Sequence, residues 1–119
     1  RVITVFGCGG DRDRGKRPLM AKAACEFSDV IVVTSDNPRT ESPQDIIAEI
    51  GAGVPKNWAG EEHREVDRRA GLARALQSAR EGDVILVAGK GHEDYQIIGD
   101  QKFAFDEEQI VLKFLETGV

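Results

Sequence analysis

A polar cluster that follows one apolar run carries the clearest recognition chemistry in this chain. Asp36-Asn37-Pro38-Arg39 comes shortly after Val30-Ile31-Val32-Val33, whose unbroken β-branched pattern predicts a strand buried on both faces of a parallel sheet. Ligands bind at the carboxyl ends of strands in such sheets. The proline stiffens the turn, so the Asn37 amide and the Arg39 guanidinium are presented to bind a carboxylate. The alternative is an ordinary capped turn before a helix that starts at Ser42-Pro43.

The loop after the first predicted strand, Arg1 to Phe6, is rich in glycine and then in charge. Gly7-Cys8-Gly9-Gly10 would let a ligand or another domain approach the backbone closely, and alternating acidic and basic residues follow from Asp11 to Arg17. The loop is not a dinucleotide fingerprint, because that motif needs glycine where Arg12 stands. A solvated charged loop is the alternative interpretation.

A third loop, Gly89-Lys90-Gly91-His92-Glu93-Asp94, follows the second strong apolar run, Asp83 to Ala88. That run predicts another buried strand, so its loop also lies at the carboxyl edge of the sheet. The loop is not a phosphate-binding P-loop. Val84 stands where that motif needs its first glycine, and Gly91 stands where Ser or Thr must follow the lysine.

These three loops meet at one edge of the predicted sheet, where they form a site with both signs of charge. Arginine suits a carboxylate and glutamate suits an ammonium group, so a zwitterionic amino acid is the predicted ligand. Taken alone, Glu93 could be an exposed loop acid and His92 a cap. The residues brought together are Arg12, Asn37, Arg39, His92 and Glu93.

The elements that must position these loops alternate between strand and helix. A helix from Pro18 is expected to pack Leu19, Met20, Ala23, Ala24 and Phe27 on the sheet. Further helices are predicted from Ser42 to Gly51, from Asp67 to before Gly82, and from Asp106 with Ile110, Val111, Phe114 and Leu115 buried.

The remaining segments complete the predicted topology. Glu62 to Val66 is a weak strand candidate, and Tyr95 to Ile98 and Lys102 to Phe105 form a hairpin. Trp58, in the loop from 51 to 60, is expected to cover part of the core. The order predicts an α/β fold: a doubly wound, Rossmann-like, mostly parallel sheet with an antiparallel edge and helices on both faces.

Composition narrows the class of protein. A hydrophobic fraction of 40% and a charged fraction of 31% are typical of a soluble globular protein, and no apolar run approaches the ~20 residues of a membrane span. The net charge of −5 argues against nucleic-acid binding, with the cluster from Arg12 to Arg17 as a local exception. No signal peptide opens the chain, and Cys8 and Cys25 form no CxxC pair, so we expect reduced thiols in a cytoplasmic protein.

The length of 119 residues predicts a single domain, residues 1–119, with one core. Such a chain is short for an enzyme that must bind several substrates. The sequence also begins directly on a strand, which suggests a fragment of a longer protein.

Three motifs resemble, in order and spacing, the carboxyl-terminal domain of the Mur ligases, in the branch that adds the third residue of the peptidoglycan stem peptide. They are Gly9 to Pro18, Asp36 to Arg39 and Gly89 to Gln96. The resemblance runs from the first strand to the last helix. It implies the amino-acid-binding domain of a three-domain, ATP-dependent ligase that adds meso-diaminopimelate to UDP-N-acetylmuramoyl-L-alanyl-D-glutamate.

The resemblance also implies roles for individual residues. The incoming meso-diaminopimelate is bound by Arg12, Asp36, Asn37, Pro38, Arg39, Gly89 and Glu93, and Arg39 marks that substrate in place of lysine. Asp11, Arg14 and Lys16 are candidates for contacts to ATP when the domain closes over its neighbour. No catalytic residue or metal ligand is assigned within the chain.

In the family, ATP activates the D-glutamyl carboxylate as an acyl phosphate, which the amine of the amino acid attacks. The resemblance implies that ATP, Mg²⁺ and the UDP-sugar dipeptide are bound mainly by two domains absent from this chain, so the isolated domain is expected to be inactive. The alternative is a free-standing Rossmann-like module that binds an amino acid or a nucleotide without catalysis.

Overall fold

The computed structural model describes residues 1–118. Strands and helices alternate through the first four strands. In chain order the elements are β1 (Val2–Phe6), α1 (Lys16–Phe27), β2 (Val30–Thr34), α2 (Pro43–Gly51), β3 (Glu61–Glu65), α3 (Arg68–Ser78), β4 (Val84–Val87), β5 (Tyr95–Ile98), β6 (Gln101–Ala104) and α4 (Glu107–Thr117).

The first four strands form one parallel sheet in the order β3-β2-β1-β4. In the centre, Ile3 of β1 is in register with Val30 on one side and Ile85 on the other. The hairpin β5-β6 pairs only with itself among the described strands, as a separate antiparallel ribbon, and a single bridge joins Ile98 to Arg39. The predicted α/β class is confirmed. The antiparallel part attaches to the turn after β2, not to an edge of the parallel sheet.

Both faces of the sheet are covered, which explains why Val30 to Val33 of β2 form an unbroken apolar run. On one face Phe6, Ile31 and Val33 pack with α1 and α2, and the predicted α2 residues Ile46, Ile47 and Ile50 are buried there. On the other face Ile3, Val5 and Val32 pack against α3, with Phe105 and part of α4. Trp58 is half-buried against the first cluster, as expected.

The predicted starts of three helices are confirmed, and each is capped by a side chain. The side chains of Ser42, Asp67 and Asp106 each accept a hydrogen bond from the backbone N–H three residues later. These bonds satisfy amide groups that have no partner within the helix.

The face that α1 buries differs from the prediction. Leu19 is 64% exposed and Phe27 is 77% exposed, whereas Arg17, Ala21 and Cys25 are buried. These three residues are spaced by four and so lie on one face of the helix. On that face Glu41 and Glu49 hold the Arg17 guanidinium, and the small side chains of Ala21 and Cys25 pack in the core. The apolar side chains of α1 alone predicted the wrong buried face.

Two further burial predictions were wrong. In β4, Val84 is 61% exposed and Leu86 is 54% exposed, because β4 is the last strand of the sheet and only its other face packs against the core around α3. In α4, Leu115 is 71% exposed, while Ile110, which packs against that core, is half-buried.

Arg68, at the start of α3, is a fully buried cation that joins four elements. Its guanidinium lies 2.6 Å from a carboxylate oxygen of Glu107 in α4. It also donates to the backbone oxygens of Ser35 and Ala88, at 3.0 and 3.2 Å, just beyond the ends of β2 and β4. Because a buried charge is costly without partners, these three contacts together stabilise its position.

Replacing Arg68 by methionine removes the cation and leaves Glu107 and two carbonyl groups without it. We expect Arg68→Met to lower the free energy of unfolding by about 3 to 5 kcal/mol. The matched control is Arg69→Met, a change of the exposed arginine next to it, which should alter stability by less than about 0.5 kcal/mol. Urea unfolding followed by circular dichroism measures both, and equal effects would contradict the structural role.

Candidate functional site

The loop after β1 packs directly on the turn after β2. The N–H of Gly10 donates to the Asn37 carbonyl at 2.8 Å, and a Cβ atom at Gly10 would lie only 1.8 Å from the Pro38 carbonyl oxygen. Only glycine allows this approach. The two loops therefore come together as predicted, and their main chains are in direct contact.

Arg39 is held in the turn by both its backbone and its side chain. Its φ of 51° lies in the left-handed region, which is unusual for a residue other than glycine. The guanidinium Nη1 donates to the Gly10 carbonyl at 3.1 Å and to the Asn37 carbonyl at 3.4 Å. The arginine is half-buried and prepositioned, and a guanidinium carries further donors on Nε and Nη2.

The hairpin attaches to the same turn through main-chain bonds. The Arg39 N–H donates to the Ile97 carbonyl at 3.1 Å, and the Gly99 N–H donates to the Arg39 carbonyl at 2.6 Å. In addition, the Gln96 amide donates to the Asp36 carbonyl at 2.8 Å. These bonds seat the ribbon on the turn.

Asn37 lies at the centre of the cluster and is buried. Its side-chain oxygen accepts from the Ile97 N–H at 2.9 Å and from the Lys90 ammonium at 3.2 Å. Its amide nitrogen faces Glu93, 3.4 Å from a carboxylate oxygen. The loop after β4 is thus joined to the turn after β2, as the sequence predicted.

An open cavity of about 380 Å³ lies beside this cluster, between the ends of β1, β2 and β4. Its lining combines basic and acidic side chains with glycine backbone, which suits a polar ligand carrying both charges. The lining includes Gly9, Arg12, Asp13, Lys16, Asp36 and Gly89.

All seven residues predicted to bind substrate lie in this region. Asp36, Asn37, Pro38, Arg39 and Glu93 form the connected cluster, and Arg12 and Gly89 line the cavity. His92 is exposed.

The three nucleotide-side candidates differ in their surroundings. Lys16 is exposed and lines the cavity. Asp11 accepts a hydrogen bond from the Thr40 hydroxyl at 2.7 Å. Arg14 makes two bonds to Glu49, at 3.0 and 2.9 Å. Of these side chains, that of Lys16 is the one placed to meet a ligand in the cavity.

Sequence reasoning missed the buried cations Lys90 and Arg17. Lys90 was considered only as a P-loop lysine, and Arg17 only as part of a charged loop. Arg17 lies 2.7 Å from Glu41 and 3.4 Å from Glu49, and donates to the Gly9 carbonyl at 3.1 Å. For Lys90 the available signal was that Glu93 and Asp94 follow it in the same strand-end loop. No local signal existed for Arg17, because its partners lie 24 and 32 residues further along the chain.

Electrostatic contacts around Arg17 change the acidity of its neighbours. The Arg17 guanidinium and the Asp11 N–H lower the pKa of Glu41 to about 2. Arg14 and then Arg17 lower the pKa of Glu49. Burial raises the pKa of the Cys8 thiol, which contacts the sulfur of Met20 at 3.3 Å. Glu41 and Glu49 are therefore held in their charged forms.

Comparison with known proteins identifies the family. The family model described as Mur ligase, glutamate ligase domain, matches residues 1–91. The chain therefore belongs to the Mur ligase family, and the resemblance found in the sequence is confirmed.

The names of the relatives indicate the kind of Mur ligase to which this chain is similar. A protein of Synechococcus sp. (strain WH7803), 55% identical over 92% of this chain, is named UDP-N-acetylmuramoyl-L-alanyl-D-glutamate--2,6-diaminopimelate ligase. The same name belongs to a Syntrophomonas wolfei protein, 51% identical over 100% of the chain. A solved structure of that ligase superposes with a TM-score of 0.93 and 42% identity over 98% of the chain.

This chain spans only 21% and 24% of the two relatives and 24% of the solved structure. In the described residues, 1–118, no helix is long and apolar enough to cross a membrane.

The contact between Gly10 and Pro38 predicts a sharp difference between two glycines of the same loop. Gly10→Ala should lower the free energy of unfolding by about 1 to 3 kcal/mol, because its methyl group would overlap backbone that must shift. Gly15→Ala should be nearly neutral, since Gly15 has right-handed helical angles and only the end of the Asp13 side chain nearby. Thermal melts of both variants measure the difference, and equal melting temperatures would argue against the close approach.

The Arg17–Glu41 pair predicts a pH dependence. The pKa of Glu41 is lowered from 4.5 to about 2 in the fold, so its contribution is complete above pH 4.5 and is lost as the pH falls towards 2. Glu41→Gln should therefore lower stability at neutral pH and flatten the loss between about pH 5 and pH 2. Urea unfolding across this range measures the slope, with Glu26→Gln, an exposed acid of α1, as the control. An unchanged slope in Glu41→Gln would contradict the assignment.

Proposed function

We propose that this chain is the carboxyl-terminal domain of an ATP-dependent ligase that adds meso-diaminopimelate to UDP-N-acetylmuramoyl-L-alanyl-D-glutamate in cytoplasmic peptidoglycan synthesis. The names of relatives that match 92% to 100% of the chain support this assignment over a free-standing binding module. The domain's part in the reaction is to bind the incoming amino acid.

The observation that carries the proposal is the connected cluster of Asn37, Arg39 and Glu93 beside the open cavity. Its Arg39 guanidinium lies against the Asn37 main-chain carbonyl, and its Glu93 carboxylate lies against the Asn37 side-chain amide. Diaminopimelate has a carboxylate and an ammonium group at each end, so each of its ends can meet a complementary group.

Individual roles follow from charge and position. Arg12 and Arg39 bind substrate carboxylates, Asn37 supplies an amide donor, and Glu93 binds an ammonium group. The backbone at Gly89, with φ of 110°, brings main-chain groups to the cavity. Asp36 and Pro38 complete the turn that holds them.

ATP supplies the activation of the D-glutamyl carboxylate in this reaction. Because the chain spans less than a quarter of its relatives, we propose that ATP, Mg²⁺ and the UDP-sugar dipeptide are held mainly elsewhere in the full-length protein. Lys16, exposed at the cavity, is the best-placed residue to contact phosphate; Asp11 and Arg14 are the other nucleotide-side candidates. The 119-residue chain alone should neither hydrolyse ATP nor form a peptide bond.

Selectivity for diaminopimelate over lysine tests this function. Lysine lacks the distal carboxylate, so it would leave the Arg39 guanidinium without a carboxylate partner and close to the substrate's own ammonium group. In the full-length protein, Arg39→Ala should lower kcat/KM for diaminopimelate by roughly 10- to 150-fold and leave the slow use of lysine unchanged or slightly improved. Ligation assays with each amino acid measure this.

The control for nonspecific effects is Arg69→Ala, which removes an exposed arginine of α3. Because Arg39 also bonds to Gly10 and Asn37, Arg39→Lys is assayed alongside, since it keeps the charge but loses the fork of donors. Parallel losses for both amino acids at an unchanged melting temperature would refute selectivity through Arg39. Failure of the wild type to prefer diaminopimelate would refute the proposed function itself.

A further inference from the structure

The Lys90 ammonium group is buried at the centre of the cluster. Its side chain is 0% exposed, and Nζ lies 2.8 Å from the Tyr95 carbonyl, 3.2 Å from the Asn37 side-chain oxygen and 3.0 Å from Oδ1 of Asp36. A carboxylate oxygen of Glu93 is 3.9 Å away. Every one of these partners belongs to the amino-acid cluster or to the hairpin seated on it.

Burial of an ammonium group costs several kcal/mol, and the cost is offset only when its three donors are matched. Solvent is close to this lysine, because the adjacent Gly89 and Gly91 are exposed. The side chain nevertheless turns inwards. The buried ammonium group restrains the groups that it contacts. Apart from Tyr95, these groups belong to residues proposed to bind substrate.

The first restraint is the orientation of the Asn37 amide. Its oxygen accepts from two donors, the Lys90 ammonium and the Ile97 N–H. The reversed amide would point its NH₂ group at both donors, which is unfavourable. Together with the Ile97 N–H, Lys90 therefore directs the Asn37 nitrogen towards Glu93 and the open side of the cluster.

The second restraint is on the separation of two carboxylates. Asp36 and Glu93 come from different loops, and their carboxylates would repel each other without an intervening cation. Lys90 lies between them, at 3.0 and 3.9 Å. It thereby holds the turn after β2 and the loop after β4 at a fixed separation.

We propose that Lys90 is a positioning residue of the amino-acid site: it orients the Asn37 amide and spaces Asp36 from Glu93 without itself contacting substrate. This inference rests on the proposed function. Under this proposal a buried side chain maintains the geometry on which substrate affinity depends, because small displacements of the binding groups weaken binding.

The main test uses Lys90→Met in the full-length protein. We expect KM for diaminopimelate to rise roughly 10- to 100-fold, with KM for ATP changed by less than about 3-fold. Lys56→Met is the matched control, because Lys56 is an exposed lysine in the loop between α2 and β3, at the opposite edge of the sheet. A purely structural lysine would instead lower the melting temperature and the amount of active enzyme, with both KM values unchanged.

A double variant separates positioning from charge balance. Asp36→Asn/Lys90→Met removes both members of the 3.0 Å ion pair, so it leaves no uncompensated charge from that pair. Positioning predicts that KM for diaminopimelate is higher in the double variant than in Asp36→Asn alone, because Asn37 still lacks its ammonium partner. Equal KM values in these two variants would overturn the proposal, as would an unchanged KM in Lys90→Met, or loss of folding in both Lys90 variants.

These outcomes remain distinct from the test of the proposed function. If wild-type enzyme ligates diaminopimelate and Lys90→Met has an unchanged KM, only the role of Lys90 fails. If the wild-type enzyme does not use diaminopimelate, the proposed function fails and the role of Lys90 fails with it.

Discussion

The constraint on which this domain depends is the matching of cations buried at the carboxyl edge of its sheet. Three such side chains occur in residues 1–118: Arg17, Arg68 and Lys90. Each is costly to bury without partners, so each imposes a fixed set of carboxylates and carbonyls around it. Arg17 joins α1 to α2, Arg68 joins α3 to α4 and two strand ends, and Lys90 joins the β4 loop to the hairpin. Most loops at this edge are thus positioned by charge pairing as well as by apolar packing.

The cations at this edge of the sheet form two groups, those held by protein partners and those exposed to a ligand. The buried cations are surrounded by protein partners, whereas Arg12 and Lys16 are exposed and line the cavity. Arg39 is intermediate, because it is half-buried and yet bonded through Nη1 to backbone carbonyls. Such an arrangement gives a ligand preorganised groups to meet, which reduces the entropy lost on binding.

Much of the fold could be predicted from local sequence because the relevant signals are local. The β-branched run from Val30 to Val33 marked a central strand, and Asp67 and Asp106 marked helix starts. The buried face of α1 could not be predicted in this way. A charged residue is normally at the surface, so the sequence predicts Leu19 in the core and gives no indication that Arg17 is buried, whereas the acidic partners of Arg17 hold it inside. The candidate site shows the same limit: its loops were predictable from strand ends, but the contacts of Lys90 link residues up to 54 positions apart.

The attachment of the hairpin through main-chain atoms has an evolutionary consequence. The bonds between Arg39 and the ribbon use the carbonyl of Ile97 and the N–H of Gly99, so they do not depend on which side chains those positions carry, provided that Gly99 keeps its φ of 64°. Mutations can therefore accumulate on the outer surface of the ribbon without loosening its anchor.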